Sequence, residues 1–240
     1  MDDSRRDEWL AHARARWDAR AAAWDSRSAE NALAADREAD LDRVWAALGL
    51  QPGAHLLDAG CGSGQFALAL AARGARVTAV DLSPEMIRLG RGNAASRPEL
   101  PVQWLVAPLD ALPLETHSVD AVHARMVLPF VPDIPAALAE IGRVLRPGGR
   151  VLVSTAGAFS PVYRDAWRRH LPHAEPGCNF VLPWELEALL TGAGWMVLEG
   201  WGEWGAGRHG APNPAAAGAQ ADHYLRQATA TTWTIIATRG

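Results

Sequence analysis

The chain has 240 residues, 49% hydrophobic and 21% charged, with a formal net charge of −4. That length supports one large domain with a substantial core, and the acidic balance speaks against a nucleic-acid binder, which needs a basic face. All 23 basic residues are arginine, and with the heavy Ala and Gly use this reflects a high-GC genome rather than a phosphate site. Only Cys61 and Cys178 occur. A disulfide between them would tie down a glycine-rich turn, so reduced thiols and a cytoplasmic home are expected. The N-terminus, Met1 to Glu8, is charged with no apolar stretch, so no signal peptide is expected. No run is apolar enough for a bilayer, so no membrane partner is expected.

Residues 4–48 read as helix. Trp9, Trp17 and Trp24 fall on one stripe of a 3.6-residue period. The stripe either packs on the domain or brings Trp17 or Trp24 over a ligand as a lid. Arg20 and Arg27 lie nearby, as carboxylate partners or as solvated side chains. Ser28 to Ala34 breaks the helix, and a second one (Leu41, Val44, Trp45, Leu48) stops at Gly49 and Pro52. From Ala54 strands and helices alternate, the mark of a parallel sheet covered on both faces. Strands are expected at 54–59, 76–80, 102–106, 121–124, 151–154, 194–198 and 231–238. Helices are expected at 64–73, from Pro84 behind a Ser83 N-cap, at 134–144 and at 184–190. Pro147-Gly-Gly149 reads as a tight turn. Residues 158–182 read as irregular or partly helical, and 200–218, rich in Gly, Ala and Pro, read as a mobile loop.

The densest signal is His55-Leu-Leu-Asp-Ala-Gly-Cys-Gly-Ser-Gly-Gln-Phe66. Apolar residues run into Asp58, glycines follow at 60, 62 and 64, and a helix begins. Glycines let a backbone approach a ligand, and a helix N-terminus offers unpaired N–H groups. The spacing is one residue short of the dinucleotide fingerprint. Asp58 would repel a pyrophosphate but suits a cationic or hydroxyl-bearing ligand, which points away from NAD and towards S-adenosylmethionine.

Five blocks in order then resemble the small-molecule branch of the class I S-adenosylmethionine-dependent methyltransferases: Leu57-Asp-Ala-Gly-Cys-Gly-Ser-Gly64, Val80-Asp-Leu-Ser-Pro-Glu-Met86, Ala111-Leu-Pro-Leu114, Ser118-Val-Asp-Ala-Val122 and Glu140-Ile-Gly-Arg-Val-Leu-Arg-Pro-Gly-Gly149. The resemblance covers roughly 50–200 and the last strand. It implies an α/β, Rossmann-like doubly wound sheet of seven strands with the last antiparallel, N-terminal helices (1–48) as a lid, and a cofactor-binding domain over 49–240. It implies S-adenosylmethionine as cofactor and S-adenosylhomocysteine as product. Asp58, Gly60, Cys61, Gly62 and Gly64 would lie beside the methionine and ribose, with helix packing as the other reading of Gly64. Asp81 resembles the acid that accepts both ribose hydroxyls, against a mere cap or surface acid, and Leu82 would pack on adenine.

Some positions depart from the family. Pro108 stands where relatives carry the adenine-binding acid; Asp110 is the candidate substitute, or a solvent-facing acid, and the Leu109 N–H is placed to reach the ring. Arg125 is expected to bind a substrate or cofactor carboxylate, or to form an ion pair at the sheet edge. His123 reads as a packed core histidine, and Pro129 replaces a family histidine.

The implied reaction is in-line methyl transfer from a sulfonium, catalysed largely by alignment and desolvation. General-base candidates lie in 158–182, which resembles the variable substrate cap: Tyr163, His170 and His173, with solvent exposure as the other reading of each histidine. Trp167 and Trp184, with the N-terminal tryptophans, suit an apolar acceptor pocket. No His/Asp/Glu set has metal-ligand spacing, so no metal is expected. The partner is a small-molecule acceptor methylated on O or N, in a monomer or homodimer. A second reading is a protein of this fold that catalyses another reaction, such as natural-product cyclisation, or only binds the cofactor. A nucleic-acid methyltransferase is disfavoured, because Leu128-Pro-Phe-Val-Pro132 does not match the amino-methylating block.

Overall fold

The computed structural model describes residues 2–32, 37–160, 163, 178–203 and 223–240. Strands β1 (His55–Ala59), β2 (Arg76–Asp81), β3 (Val102–Val106), β4 (Val119–Ala124), β5 (Leu145–Ala156), β6 (Met196–Glu203) and β7 (Thr232–Thr238) form one sheet in the order β3-β2-β1-β4-β5-β7-β6. The first five run parallel, and β7 lies antiparallel between β5 and β6. The expected doubly wound sheet with an antiparallel last strand is therefore the fold.

Residue alternation divides the core between the two faces. Leu56, Val77 and Leu152 pack with Leu41 and Val44 of α2 (Arg37–Ala47) and Leu70 of α3 (Gln65–Ala72). Leu57, Val80, Val122 and Val153 pack with Leu138 and Ile141 of α5 (Ile134–Val144) and Leu186 of α6 (Pro183–Gly192). Local chemistry starts the helices. Ser83 caps α4 (Pro84–Ala94) by accepting the Met86 N–H at 3.1 Å, and Asp133 caps α5 through the Ala136 N–H at 3.0 Å.

Some expected boundaries move. Helix α1 (Asp3–Ala32) runs through Ser28, because side chains along its length dock it on the domain. Pro147-Gly-Gly149 is no turn: β5 passes through it as an irregularity, the β4 register shifting between Val119↔Leu145 and Ala121↔Arg150. Two elements carried no sequence signal, a 3₁₀ turn at Leu128–Phe130 and α7 (His223–Thr229). Of the loop expected at 200–218, residues 200–203 finish β6 and the rest lies outside the described residues, as does most of 158–182. No helix among the described residues is long and apolar enough to cross a membrane.

Candidate cofactor and acceptor site

Strand register builds the floor of the site. Asp58 on β1 stands opposite His123 on β4, and Asp58 Oδ1 lies 2.8 Å from His123 Nδ1. Both residues are 2% exposed, and Asp58 Oδ2 and His123 Nε2 have no partner. An unmet buried carboxylate oxygen is costly, and this one sits at the foot of the glycine turn. Gly60 and Cys61 donate their N–H groups to Val80 O at 2.8 and 3.0 Å, which folds the turn back onto β2. Gly60, Gly62 and Gly64 all have positive φ, from 54° to 81°.

Asp81, at the end of β2, grips the same turn. Its Oδ2 accepts the Gly62 N–H and its Oδ1 accepts the Ser83 N–H, each at 2.9 Å. Burial pushes its carboxyl up to about 6 against the pull of the Ser83 and Gly62 N–H groups, with Asp58 and Asp18 adding to the rise. Each oxygen keeps a further lone pair for a hydroxyl. Neighbouring Leu82 is half-buried, and Leu109 is buried in the core at 4% exposure.

Helix α1 lies across this part of the site. Trp9 Nε1 donates to Phe130 O at 3.1 Å, and Trp17 meets the Phe130 ring and Trp24 edge-on, at 5.0 and 5.6 Å. Trp24 reaches the turn itself: a Cβ on Gly62 would stand 3.1 Å from Trp24 Nε1. Asp18 accepts from Ser83 Oγ, and Asp25 accepts from Asn93 at 2.9 Å. Arg6 grips Asp110 with two hydrogen bonds, so that acid is already engaged by α1. The tryptophan stripe thus packs on the domain, and its Trp24 end also borders the site.

A cavity of about 990 Å³ opens from the glycine turn, bordered by Trp24, Asp58, Phe66, His123, Trp201 and Thr231 among others. His123 therefore belongs to the cavity wall as well as to the strand, its ring 4.7 Å from that of Phe66. Arg125 borders the cavity too, but spends its two arms on Asp40 (2.9 Å) and Glu203 (2.7 Å). Tyr163 Oη lies 2.7 Å from Val181 O, and Trp184 packs edge-on against Tyr224, so neither lines this cavity. His170, His173 and Trp167 lie outside the described residues. No cluster of metal-ligating side chains occurs among the described residues.

Sequence reasoning missed Arg37, Phe66 and Trp201 as wall residues. Phe66 adjoins the glycine turn and was within reach of it; Arg37 and Trp201 arrive from distant elements. A Cβ on Gly60 would meet Val127 Cγ2 at 2.3 Å, and one on Gly64 would meet Trp104 Cη2 at 2.2 Å. Protein side chains therefore leave no room for a Cβ at either position, and at Gly64 the helix-packing reading has a direct contact behind it.

A free carboxylate oxygen beside a glycine turn and a diol-competent carboxylate at the next strand end suit a ligand with a cationic amino-acid end and a ribose. With the strand order, they define the class of S-adenosylmethionine-binding Rossmann-like proteins. The Methyltransferase domain family model matches residues 57–153, and the Thiopurine S-methyltransferase model matches 6–103. The Ubiquinone biosynthesis O-methyltransferase of Xanthomonas oryzae is 35% identical over 178 residues, 71% of this chain and 74% of that protein. The Malonyl-[acyl-carrier protein] O-methyltransferase of Serratia marcescens is 41% identical over 119 residues, 49% of this chain but only 45% of that enzyme. The solved structure of the [4+2]-cyclase SpnF superposes with a TM-score of 0.64 at 24% identity, covering 85% of this chain and 81% of that one. The chain belongs to the class I S-adenosylmethionine-dependent methyltransferases.

Proposed function

We propose that this methyltransferase acts on an oxygen or nitrogen of a small hydrophobic or aromatic metabolite. The observation that carries the reading is the cavity that continues from the glycine turn past Phe66 to Trp201, where the rings of Trp24, Phe66 and Trp201 stand among charged and polar side chains. S-Adenosylmethionine supplies an activated methyl group on a sulfonium. The chain's own residues would hold and orient it: Asp58 Oδ2 takes the ammonium, Asp81 the ribose hydroxyls, and the turn lies along the backbone between them. Leu82 and Leu109 would flank the adenine. Helix α1 acts as the lid, and Trp24 excludes water from the reacting atoms.

His123 Nε2, with Nδ1 held by Asp58, is the described group best arranged to take a proton from an acceptor hydroxyl. His170 and His173 stay candidates for that role on the sequence reading alone. The kinship to a protein named as an O-methyltransferase favours an oxygen acceptor. A cytoplasmic enzyme, monomeric or dimeric, fits this reading.

A second reading, a non-methylating reaction such as cyclisation, draws on the fold shared with SpnF. Incubation with methyl-labelled cofactor and a panel of phenols, amines and carboxylic acids separates the two. Label in a product together with S-adenosylhomocysteine release supports methyl transfer. Cofactor binding with an acceptor converted but unlabelled would favour the second reading.

A further inference from the structure

Three arginines border the cavity, and packing has left them different partners. Arg37 lies on Phe66 beside the glycine turn, its guanidinium carbon 3.7 Å from the ring centroid. Arg125 is spent on Asp40 and Glu203. Arg43 lies over Trp201, 4.0 Å from the ring centroid, and has no hydrogen-bond or carboxylate partner among the described residues. The acids of its own helix are engaged elsewhere: Glu38 and Asp42 hold Arg73, and Asp40 holds Arg125. Trp201 is 4% exposed and packed into the core, whereas Arg43 is exposed. The ring is therefore a fixed platform for a free cation. A guanidinium stacked on an aromatic face keeps its in-plane N–H donors available, and their fork matches a carboxylate.

Position separates this cation from the methyl donor. Trp201 is on β6, four strand spacings from β1, which carries Asp58. At about 4.8 Å per strand that is about 19 Å, and along α2 Arg43 stands about 9 Å beyond Arg37. An amino-acid end seated at Asp58 does not extend so far. Charge gives the sign and size of the missing group. S-Adenosylmethionine carries one net positive charge, which Asp58 offsets. The rest of the wall sets Arg37, Arg43 and Arg125 against Asp40 and Glu203, leaving one positive charge. A monoanion balances it; a phosphate dianion exceeds it.

We propose that Arg43, stacked on Trp201, receives a carboxylate of the acceptor. The acceptor is then an acid whose nucleophilic atom points back along the cavity towards the glycine turn. This rests on the methyltransferase reading above and narrows its acceptor to a monoanionic one.

The test compares wild type, Arg43→Gln and Arg43→Lys in the full chain. Calorimetry first gives the affinity of each for S-adenosylhomocysteine. Ligand-observed NMR on the saturated proteins then ranks benzoate, its neutral isostere benzamide, and phenyl phosphate. All three proteins should bind S-adenosylhomocysteine within about twofold of one another, and wild type should hold benzoate about tenfold more tightly than benzamide. Arg43→Gln should level the two probes, while Arg43→Lys, charged but without the fork, keeps part of the preference. Four results overturn the inference and leave the methyltransferase reading standing: wild type without a preference for benzoate, a preference that survives Arg43→Gln, phenyl phosphate held more tightly than benzoate, or S-adenosylhomocysteine affinity that falls along with benzoate in Arg43→Gln. Wild type that does not bind S-adenosylhomocysteine overturns the methyltransferase reading, and this inference with it.

Discussion

Arg6 and Asp110 lie 104 residues apart and meet through two hydrogen bonds, Nε to Oδ2 at 2.7 Å and Nη2 to Oδ1 at 2.9 Å. The Asp110 side chain is 4% exposed and that of Arg6 30%. The acid that sequence reasoning offers to adenine is the one that anchors the first helix. The Asp110 carboxylate and the first turns of α1 are therefore coupled: an occupant of one changes the other.

Arg6→Ala leaves Asp110 a buried, unpaired carboxylate. The partial exposure of Arg6 places the loss between a surface and a buried pair, about 1–2 kcal/mol. Urea unfolding should record it, and hydrogen exchange should rise along α1 ahead of the sheet. Unchanged exchange in α1 would refute the anchoring role.

Asp81 makes the pH dependence specific. Its folded value of about 6 lies above the unfolded carboxylate value near 4, so the folded state holds the proton more tightly. This residue's contribution to stability is therefore most favourable below about pH 4 and falls by about 1–3 kcal/mol as pH rises through 6. Ligand affinity runs the other way, because a diol needs the carboxylate as acceptor. Titration with S-adenosylhomocysteine should give a constant affinity above pH 7 that weakens below 6, approaching about tenfold per unit. Asp81→Ala should weaken affinity at pH 7.5 by about 1.5–3 kcal/mol and flatten that dependence. A pH-independent affinity in the wild type would exclude Asp81 from the ligand's grip.

Gly60 combines a φ of +73° with a Cβ position 2.3 Å from Val127 Cγ2. Left-handed backbone costs an ordinary residue about 1–2 kcal/mol, and overpacking adds about 1–3. Gly60→Ala should lose about 2–5 kcal/mol in chemical denaturation. Adding Val127→Ala should return the packing share and leave the backbone share. A double variant no more stable than Gly60→Ala alone would show that Val127 is not the obstacle.

Cys61 lies in the turn between two acids. Burial pushes its thiol well above the ordinary range, and Asp81 and Asp58 push it further. At pH 8 iodoacetamide, mapped by mass spectrometry, should modify it at least about tenfold more slowly in the folded protein than in urea. Labelling as fast in the folded protein as in urea would show that neither burial nor the two acids protects the thiol.

How much of this was legible depends on the range of the interaction. Alternating apolar residues, glycine punctuation and the Ser83-Pro84 cap act over a few residues, so the sequence alone determined the sheet, most of its helices, and the place of Asp58 and Asp81 at successive strand ends. Even the fate of Gly60 and Gly64 was half-readable: positive φ is a local demand, but Val127 and Trp104 are not local. Only the tertiary structure decided that His123 faces Asp58, because that depends on the register of β1 against β4. Only tertiary packing decided that Asp110 belongs to Arg6 and that Arg125 is spent on Asp40 and Glu203. Arginines are chemically alike in a sequence. What distinguishes them is the partner that packing leaves them, and packing is set by contacts tens of residues away.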